Sequence, residues 1–138
     1  MTFRPHEIEF LHGTTLGRLA TIQPNGTLQN SPVGFSYNET LGTIDIFGFH
    51  MSKSQKYRNI ASNPTVAFVV DDIFSVDPWR VRCLEIRGTA EAIEKPSDSA
   101  YGGSDPIIRV RARRIISYGT EEQGAIPGQV RPHNRNVA

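Results

Sequence analysis

The stretch LGRLATIQPNG, residues 16–26, decides the fold because it is a strand pattern followed at once by a tight turn. Its side chains repeat at a period of two, which is typical of a strand with one face on a core. The Asn-Gly pair at its end supplies the positive φ angles that a tight hairpin needs. We therefore predict a strand over Leu16–Ile22, a turn at residues 24–26 and a return strand over residues 27–37.

Strand patterns continue after this hairpin and are interrupted once by a helix. A short helix is also predicted before the hairpin, where Ile8 and Leu11 share a face and Gly13 ends the pattern. Six strands with one helix after the third predict a mainly β fold, a six-stranded antiparallel β-barrel, because closure removes the exposed edges of the sheet. The further strands are predicted at residues 43–49, 65–70, 81–93 and 107–118.

Size, charge and cysteine content limit the classes of protein to consider. The 138 residues suit a single domain over residues 1–138, with a tail at 123–138 that lacks periodicity and that we expect to be mobile. The net charge of +1 argues against nucleic acid or an acidic membrane as a partner. The chain has the single cysteine Cys83, no secretory signal and no apolar run of about 20 residues, so we expect a cytoplasmic protein without disulfides.

The segment SKSQKYRN, residues 52–59, is the part of the chain best suited to bind a ligand. Ser52 and Gln55 fit a capping box, and the start of a helix attracts anions because its first backbone N–H groups are unpaired. A phosphate needs several donors that converge, and side chains here can supply them. The alternative is an ordinary capped surface helix whose basic residues face solvent. The side-chain donors are Ser52, Lys53, Ser54, Lys56 and Arg58.

Four ordered segments resemble one protein family. LGRLATIQPNG at 16–26 is followed by QNSPVGF at 29–35, and KYRNI at 56–60 is followed by NPTVA at 63–67. In their order and spacing they resemble the pyridoxamine 5′-phosphate oxidase-like split β-barrel superfamily, and within it the actinobacterial branch that uses the deazaflavin coenzyme F420. The resemblance implies a split β-barrel of the FMN-binding type that holds a flavin or deazaflavin.

The resemblance also implies where the cofactor binds. In such proteins the residues matching Ser54, Gln55 and Lys56 hold the phosphate, and we expect Asn59 to support them. The second and third strands line the ring pocket, and the cofactor lies between the subunits of a homodimer. Trp79 is then a candidate contact from the partner chain, or else an ordinary interface aromatic. The expected cofactor-binding residues are Ser31, Pro32, Val33, Phe47, Gly48, Phe49, Ser52, Lys53, Ser54, Gln55, Lys56, Arg58, Asn59 and Trp79.

The chain departs from the family between its last two strands. Many family members carry a helix there, whereas residues 94–105 are too short and too rich in Gly and Pro for one. We therefore expect a more open substrate side, and the family's substrates do not transfer to this chain. The substrate-binding residues of the true oxidase are not recognisable, which argues against oxidation of pyridoxamine phosphate.

Three functions fit these residues. The first is an F420-dependent reductase that transfers a hydride between the deazaflavin and an unsaturated or quinone-like small molecule. It is favoured because Lys53 and Arg58 provide the open, basic exit that the tail of F420 needs. The second is an FMN-binding oxidoreductase of the same fold, and the third is a non-catalytic cofactor-binding or carrier protein. The sequence does not identify the acceptor.

Other polar side chains have two interpretations each. The arginines of the last strand either meet the oligoglutamate tail of F420 or form the solvated outside of the barrel. The four histidines show no metal-ligand spacing, so we predict no metal site. The arginines are Arg109, Arg111 and Arg113. The candidate proton donors are His50, Tyr57 and Tyr118. The alternative for each of them is a structural hydrogen bond with no part in the reaction.

Overall fold

Antiparallel strands are the main secondary structure of the chain, which a computed structural model describes at residues 2–121 and 130–137. A one-turn 3-10 helix at Met51–Lys53 precedes the second α-helix. The elements are α1 (Pro5–His12), β1 (Leu16–Ile22), β2 (Leu28–Asn38), β3 (Thr43–Phe47), α2 (Gln55–Ser62), β4 (Thr65–Ser75), β5 (Arg80–Ile93), β6 (Ile107–Tyr118) and β7 (His133–Asn136).

The sheet closes on itself, which confirms the predicted six-stranded antiparallel barrel. Its strands are ordered β3-β2-β1-β4-β5-β6, and β3 also pairs with β6. The first part of β6 pairs with β3, through residues 108–110, and its last part pairs with β7, through residues 114–117. The predicted helices lie before β1 and after β3. Closure leaves β1 to β6 with a partner on each side, so little strand edge is exposed.

The barrel interior is filled by alternate side chains of the strands. On β1 and β2, for example, Leu19 and Phe35 point inward, and Phe35 packs edge-to-face on Phe68 at 5.1 Å. At Gly88 a β-bulge interrupts the pairing of β5 with β6, and a Cβ there would lie 1.9 Å from the backbone oxygen of Arg111. Glycine is therefore required at this position. The fully buried apolar residues include Leu19, Ile44, Ile46, Phe68, Val70, Leu84, Ile86, Ile108 and Ile115.

Strand direction separates two ends of the barrel. β1, β3 and β5 run toward the end that carries residues 48–64 and the loop 94–106, which we call the α2 end. At the opposite end, which we call the α1 end, the ring of Phe10 on α1 packs beneath the guanidinium of Arg82 at the start of β5. The β4–β5 turn and the end of β6 also lie at the α1 end.

Three strand predictions need correction. β3 ends at Phe47 rather than at residue 49, and β4 continues past residue 70 to Ser75. The tail expected to lack structure contains β7, which its polar sequence HNRN did not predict. Residues 122–129 and 138 of that tail lie outside the described residues. No helix in the described part of the chain is long and apolar enough to cross a membrane.

A buried carboxylate explains why the polar strand β7 forms. The Glu7 side chain on α1 is fully buried, and it accepts hydrogen bonds from both terminal nitrogens of Arg135 on β7, at 2.6 and 2.9 Å. The hydroxyl of Ser117 on β6 donates to the same carboxylate at 2.6 Å. Burial raises the pKa of Glu7, but these bonds and the Arg4 backbone N–H outweigh it, so the net pKa is lowered. A charged Glu7 therefore joins α1, β6 and β7.

Candidate cofactor site at the start of the second helix

Helix α2 begins two residues later than the sequence predicted. Its N-cap is Ser54, whose Oγ accepts from the backbone N–H of Tyr57 at 3.3 Å and donates to the backbone oxygen of Met51 at 2.7 Å. Ser52 lies in the preceding 3-10 turn, and Gln55 is the first helical residue, so the predicted capping box between them is wrong. The buried side chain of Met51 holds that turn against the core and sets where the helix starts.

The start of α2 has the properties of an anion site. The backbone N–H groups of Gln55 and Lys56 have no intrahelical acceptor, because they lie in the first turn. Within residues 2–121 and 130–137, the side chains of Lys53 and Lys56 form no ion pair. The Arg58 guanidinium folds back and donates to the backbone oxygen of Lys53 at 2.6 Å and to Gln55 Oε1 at 2.8 Å. Three cations therefore lie beside free N–H groups, and the first turn holds no acid.

Asn59 attaches this helix to the barrel rather than facing a ligand. Its fully buried side chain donates to Thr21 Oγ1 at 3.0 Å and to Gln29 Oε1 at 3.1 Å, which joins α2 to β1 and β2. It also accepts from the Gln55 side chain at 2.8 Å. Support of a cofactor by Asn59 stays a prediction, and in this geometry it would act through Gln55 and through the placement of the helix.

The three residues predicted on β2 point in different directions. Val33 is buried in the core, and Ser31 lies on the same face because side chains alternate along a strand. The Oγ of Ser31 is buried without a hydrogen-bond partner in the described chain. Pro32 faces outward and is exposed. Pro32 alone can present its side chain to a ligand outside the barrel, whereas Val33 can offer only its backbone.

The end of β3 presents aromatic rings at the α2 end. The ring of Phe47 lies over Gly34 on β2, where a Cβ would come within 2.4 Å of it, so a side chain at position 34 would displace this ring. Phe49 is 96% exposed, and a Cβ on Gly48 would meet only the tip of Met51, at 3.2 Å. A hollow of about 270 Å³ lies between residues 47–49 and the loop ending at Pro106. The predicted ring residues 47–49 therefore precede the predicted phosphate residues 54–56 by four residues of the chain.

The sequence did not predict that Tyr101 borders this hollow. Its ring packs edge-on against Phe47 at 4.8 Å, and it reaches the hollow from the loop 94–106. Nothing in the local pattern of a loop rich in Gly, Ser and Asp distinguishes this tyrosine from a solvent-exposed one. The charged Asp45 within the apolar strand TIDIF was the available signal, because a charge on a buried strand requires a partner.

The arginines predicted to share one face have different environments. Arg109 is only 4% exposed, and its Nε donates to Asp45 Oδ1 at 3.0 Å, so it belongs neither to a solvated face nor to a site for a glutamate tail. Arg111 pairs with Glu91 at 3.1 Å on the surface, and Arg113 is exposed. The alternation places all three side chains on the outer face of β6, but the loop 94–106 covers Arg109, and spacing could not show its buried partner on β3.

The candidate proton donors lie at both ends of the barrel. His50 is exposed at the α2 end, with a φ of 52° in the left-handed region. Tyr57 packs partly against the core, and burial, with a smaller effect of Glu94, raises its pKa. Tyr118 ends β6, and Trp79 lies exposed in the β4–β5 turn. Because β6 spans about 36 Å from Ile107 to Tyr118, and β5 after Trp79 is longer still, neither side chain reaches the α2 end of its own chain.

Two histidines that are far apart in the sequence meet at the α1 end. Ligand atoms of His6, His133 and Glu121 lie within 4.8 Å of one another, an arrangement that sequence spacing did not indicate. However, Arg4 contacts Nδ1 of His133 at 2.8 Å, and arginine only donates, so Nδ1 accepts and Nε2 carries the proton of the neutral ring. Because Nε2 faces Glu121 at 2.9 Å, the arrangement links α1, β6 and β7 and is not a ready metal site.

Comparison with known proteins identifies the family of this chain. The chain belongs to the pyridoxamine 5′-phosphate oxidase family, whose model matches residues 4–130. A 5a,11a-dehydrotetracycline/5a,11a-dehydrooxytetracycline reductase from Streptomyces rimosus is 43% identical over 122 residues, which cover 88% of this chain and 86% of that protein. The resemblance drawn from the sequence is thereby confirmed at the level of the family.

Solved structures support the same fold. A conserved hypothetical protein from Mycobacterium tuberculosis superimposes with a TM-score of 0.69 at 22% identity, over 94% of each chain. At this identity the likeness shows the fold alone. A structure described as an F420 reductase superimposes with a TM-score of 0.53 at 29% identity, over 71% of this chain and 86% of the other.

Proposed function

We propose that this chain is an F420-dependent oxidoreductase, which transfers a hydride between the deazaflavin and an unsaturated or quinone-like small molecule. The observation that carries the proposal is the start of α2, where Lys53 and Lys56 form no ion pair among the described residues and lie beside free N–H groups. This helix start follows within a few residues of the segment 47–49 that lines the hollow. The reductase from Streptomyces rimosus and the similar F420 reductase support the assignment.

The donor set at α2 fits a phosphate diester. Lys56 and the N–H groups of Gln55 and Lys56 would hold the phosphate, because a helix start favours negative charge and a lysine adds a charge-assisted bond. Ser54 contributes as the N-cap, since its hydroxyl is already bonded to Met51 and Tyr57. Each hydrogen bond to a charged group is worth about 1.5–3 kcal/mol, so loss of Lys56 should weaken binding by about 10- to 100-fold.

The exit from this phosphate site favours F420 over FMN. FMN ends in its phosphate, whereas F420 continues from the phosphate into lactate and glutamates. Lys53 and Arg58 are exposed on the outer side of the helix start, where they can meet carboxylates. Arg58 is already held in place by two hydrogen bonds, so it need not be ordered when the ligand binds.

The outer surface of β2 and β3, beside the hollow, would position the ring and exclude water. When bound, the deazaflavin supplies the hydride chemistry. Pro32, Phe47 and Phe49 offer apolar surface for a flat ring, and Gly48 allows the ring close to the backbone. His50 and Tyr57 are the proton donors to test first, because both lie at the α2 end. Burial raises the pKa of Tyr57, which makes it a weaker acid than an ordinary tyrosine.

A homodimer would complete this site. Large apolar side chains are exposed along the β4–β5 turn and on the outside of the barrel, where a second copy can cover them. A groove of about 680 Å³ with an apolar floor and a rim of arginines also lies on the outer face. Trp79 can reach a cofactor at the α2 end only from a partner chain. The exposed residues include Leu28, Ile73, Phe74, Val76 and Trp79.

The first test is a fluorescence titration of the purified protein with F420 and, separately, with FMN. We expect F420 to bind more tightly, and the Lys56→Ala variant to lose about 10- to 100-fold in affinity. Lys95→Ala is the matched control, because Lys95 is an exposed lysine in the loop after β5. Tighter binding of FMN would identify the protein as a flavin oxidoreductase of the same fold. Failure of both cofactors to bind would leave α2 as a capped surface helix.

A further inference from the structure

The loop 94–106 is fastened to the barrel by a buried ion pair between β3 and β6. The carboxylate of Asp45 is fully buried and accepts from Arg109 at 3.0 and 3.2 Å. It also accepts from Asn38 Nδ2 at 2.9 Å, from Thr43 Oγ1 at 3.0 Å and from the backbone N–H of Ala100 at 2.9 Å. Five donors therefore satisfy a carboxylate that offers about four lone-pair positions.

Both members of this pair bind the loop. Arg109 donates to the side chain of Asp98 at 2.9 Å and to its backbone oxygen at 3.2 Å, while Asn38 donates to the same oxygen at 2.9 Å. A well-packed apolar pair would hold β3 to β6 as well as a buried ion pair does. Apolar side chains, however, could not bind the backbone at residues 98–100. The ion pair therefore fixes the loop in addition to joining β3 to β6.

The residue that follows this anchored segment is Tyr101. Its hydroxyl donates to the backbone oxygen of Asp45 at 3.0 Å, and its ring packs edge-on against Phe47. Burial, together with the charge of Asp45, raises the pKa of Tyr101, so the hydroxyl stays protonated and bonded. Tyr101 is therefore held rigidly as an aromatic surface and is not suited to donate a proton to a substrate.

The hollow beside Tyr101 is small and mostly apolar. Its volume of about 270 Å³ is slightly below the range of about 300–1,000 Å³ for complete small-molecule sites. It therefore suits a pair of fused rings rather than a whole large ligand. Its apolar walls are formed by Phe47, Phe49, Tyr101, Pro106 and Ile107.

We propose that this hollow is the acceptor subsite, and that Tyr101, positioned by the Asp45–Arg109 pair, selects flat conjugated ring systems of about two fused rings. The inference rests on the proposed function, because the ring of the cofactor would pack on the outer face of the same segment 47–49 and leave the hollow to the acceptor. The anchored loop takes the place of the helix that many family members carry between their last two strands. Rigid placement reduces the conformational entropy that an aromatic side chain loses when it binds a ring.

The test separates acceptor binding from cofactor binding. The probe is 2,3-dimethyl-1,4-naphthoquinone, a two-ring quinone without the free ring position that would react with the Cys83 thiol. Its binding to the protein without cofactor is measured by calorimetry for wild type, Tyr101→Phe and Tyr101→Ala. We expect Tyr101→Ala to weaken binding about tenfold, the scale of an aromatic contact, and Tyr101→Phe to stay within about threefold of wild type.

A second variant tests whether the anchor positions Tyr101. Asp98→Ala removes one contact from Arg109 but leaves the buried ion pair, and Asp98 itself is half exposed, so the fold should persist. We expect weaker quinone binding with an unchanged melting temperature. With reduced F420, the variants should show a raised KM for the quinone and a nearly unchanged kcat.

The affinity for F420 distinguishes the proposed acceptor subsite at Tyr101 from the proposed cofactor site at α2. F420 should bind wild type and Tyr101→Ala within about twofold, because Tyr101 is not part of the phosphate site. Quinone affinity that is equal in wild type and Tyr101→Ala would overturn the inference, whether or not F420 binds. Loss of quinone binding in Tyr101→Ala would support it even if FMN proved to be the cofactor.

Discussion

Replacement of Asp45 by asparagine should strongly destabilise the barrel. The carboxylate accepts five hydrogen bonds, and Arg109 is 4% exposed, so Asp45→Asn leaves a buried guanidinium without its main counter-charge. Removal of one member of a buried pair costs about 3–5 kcal/mol. Because Arg109 keeps its contact to Asp98, we expect the free energy of unfolding to fall by about 3 kcal/mol, the lower end of this range.

The same pair should make the wild type sensitive to acid. Burial raises the pKa of Asp45, but the bonds from Arg109, Asn38 and the Ala100 N–H lower it below its ordinary value of 3.8. When the pKa of a carboxyl is lower in the folded protein than in the unfolded chain, its charge stabilises the fold. This contribution is complete at a pH above the pKa in the unfolded chain, and it is lost as the pH falls through the pKa in the folded protein. Wild type should therefore lose stability below about pH 4, and Asp45→Asn should lose less in that window.

Urea unfolding of wild type and Asp45→Asn, followed by circular dichroism between pH 7 and pH 3, measures both effects. Asp71→Asn is the matched control, because Asp71 pairs with Arg18 where both side chains are about half exposed. Such surface pairs are worth about 0–1 kcal/mol, so this control should remain close to wild type. If Asp45→Asn also lost less than about 1 kcal/mol, or if its acid sensitivity matched that of wild type, the role assigned to the ion pair would be wrong.

The other predictions concern the barrel and its attachments. Gly88→Ala should cost up to about 3 kcal/mol in urea unfolding, because its Cβ would lie 1.9 Å from the backbone oxygen of Arg111; an unchanged midpoint would refute the close contact. Asn59→Ala should lower the free energy of unfolding by about 1–3 kcal/mol and weaken F420 binding, because it removes the hydrogen bonds that join α2 to β1 and β2. An unchanged affinity for F420 would show that cofactor binding does not depend on how Asn59 places the helix. Arg135→Met should increase hydrogen exchange in β7, and equal exchange would show that Glu7 does not hold that strand.

The barrel was predictable because it depends on local patterns. A period of two and an Asn-Gly turn at residues 25–26 indicate a hairpin without any knowledge of the rest of the chain. Strand β7 was not predictable, because its stability comes from the bond between Arg135 and Glu7, which are 128 residues apart. A polar segment of four residues carries no pattern that indicates such a partner.

The candidate site was predictable in its chemistry but not in its details. The serines at 52 and 54 are both good N-caps, and the burial of Met51, which sequence spacing does not show, selects Ser54. Alternation placed Arg109 on the outer face of β6 correctly, but its partner Asp45 lies 64 residues away. For the same reason the position of Tyr101 could not be predicted, because it depends on that pair.

The central claim is that the phosphate of F420 binds at the start of α2. It can be tested most directly by recording backbone amide NMR shifts while F420 is added, with a deazaflavin lacking the phosphate and its tail as the comparison. The account predicts that the amides of Gln55 and Lys56 shift strongly with F420 and little with the phosphate-free compound. Shifts centred instead on the arginine-rimmed groove at Arg87, Arg113 and Arg114, with residues 55 and 56 unaffected, would contradict it.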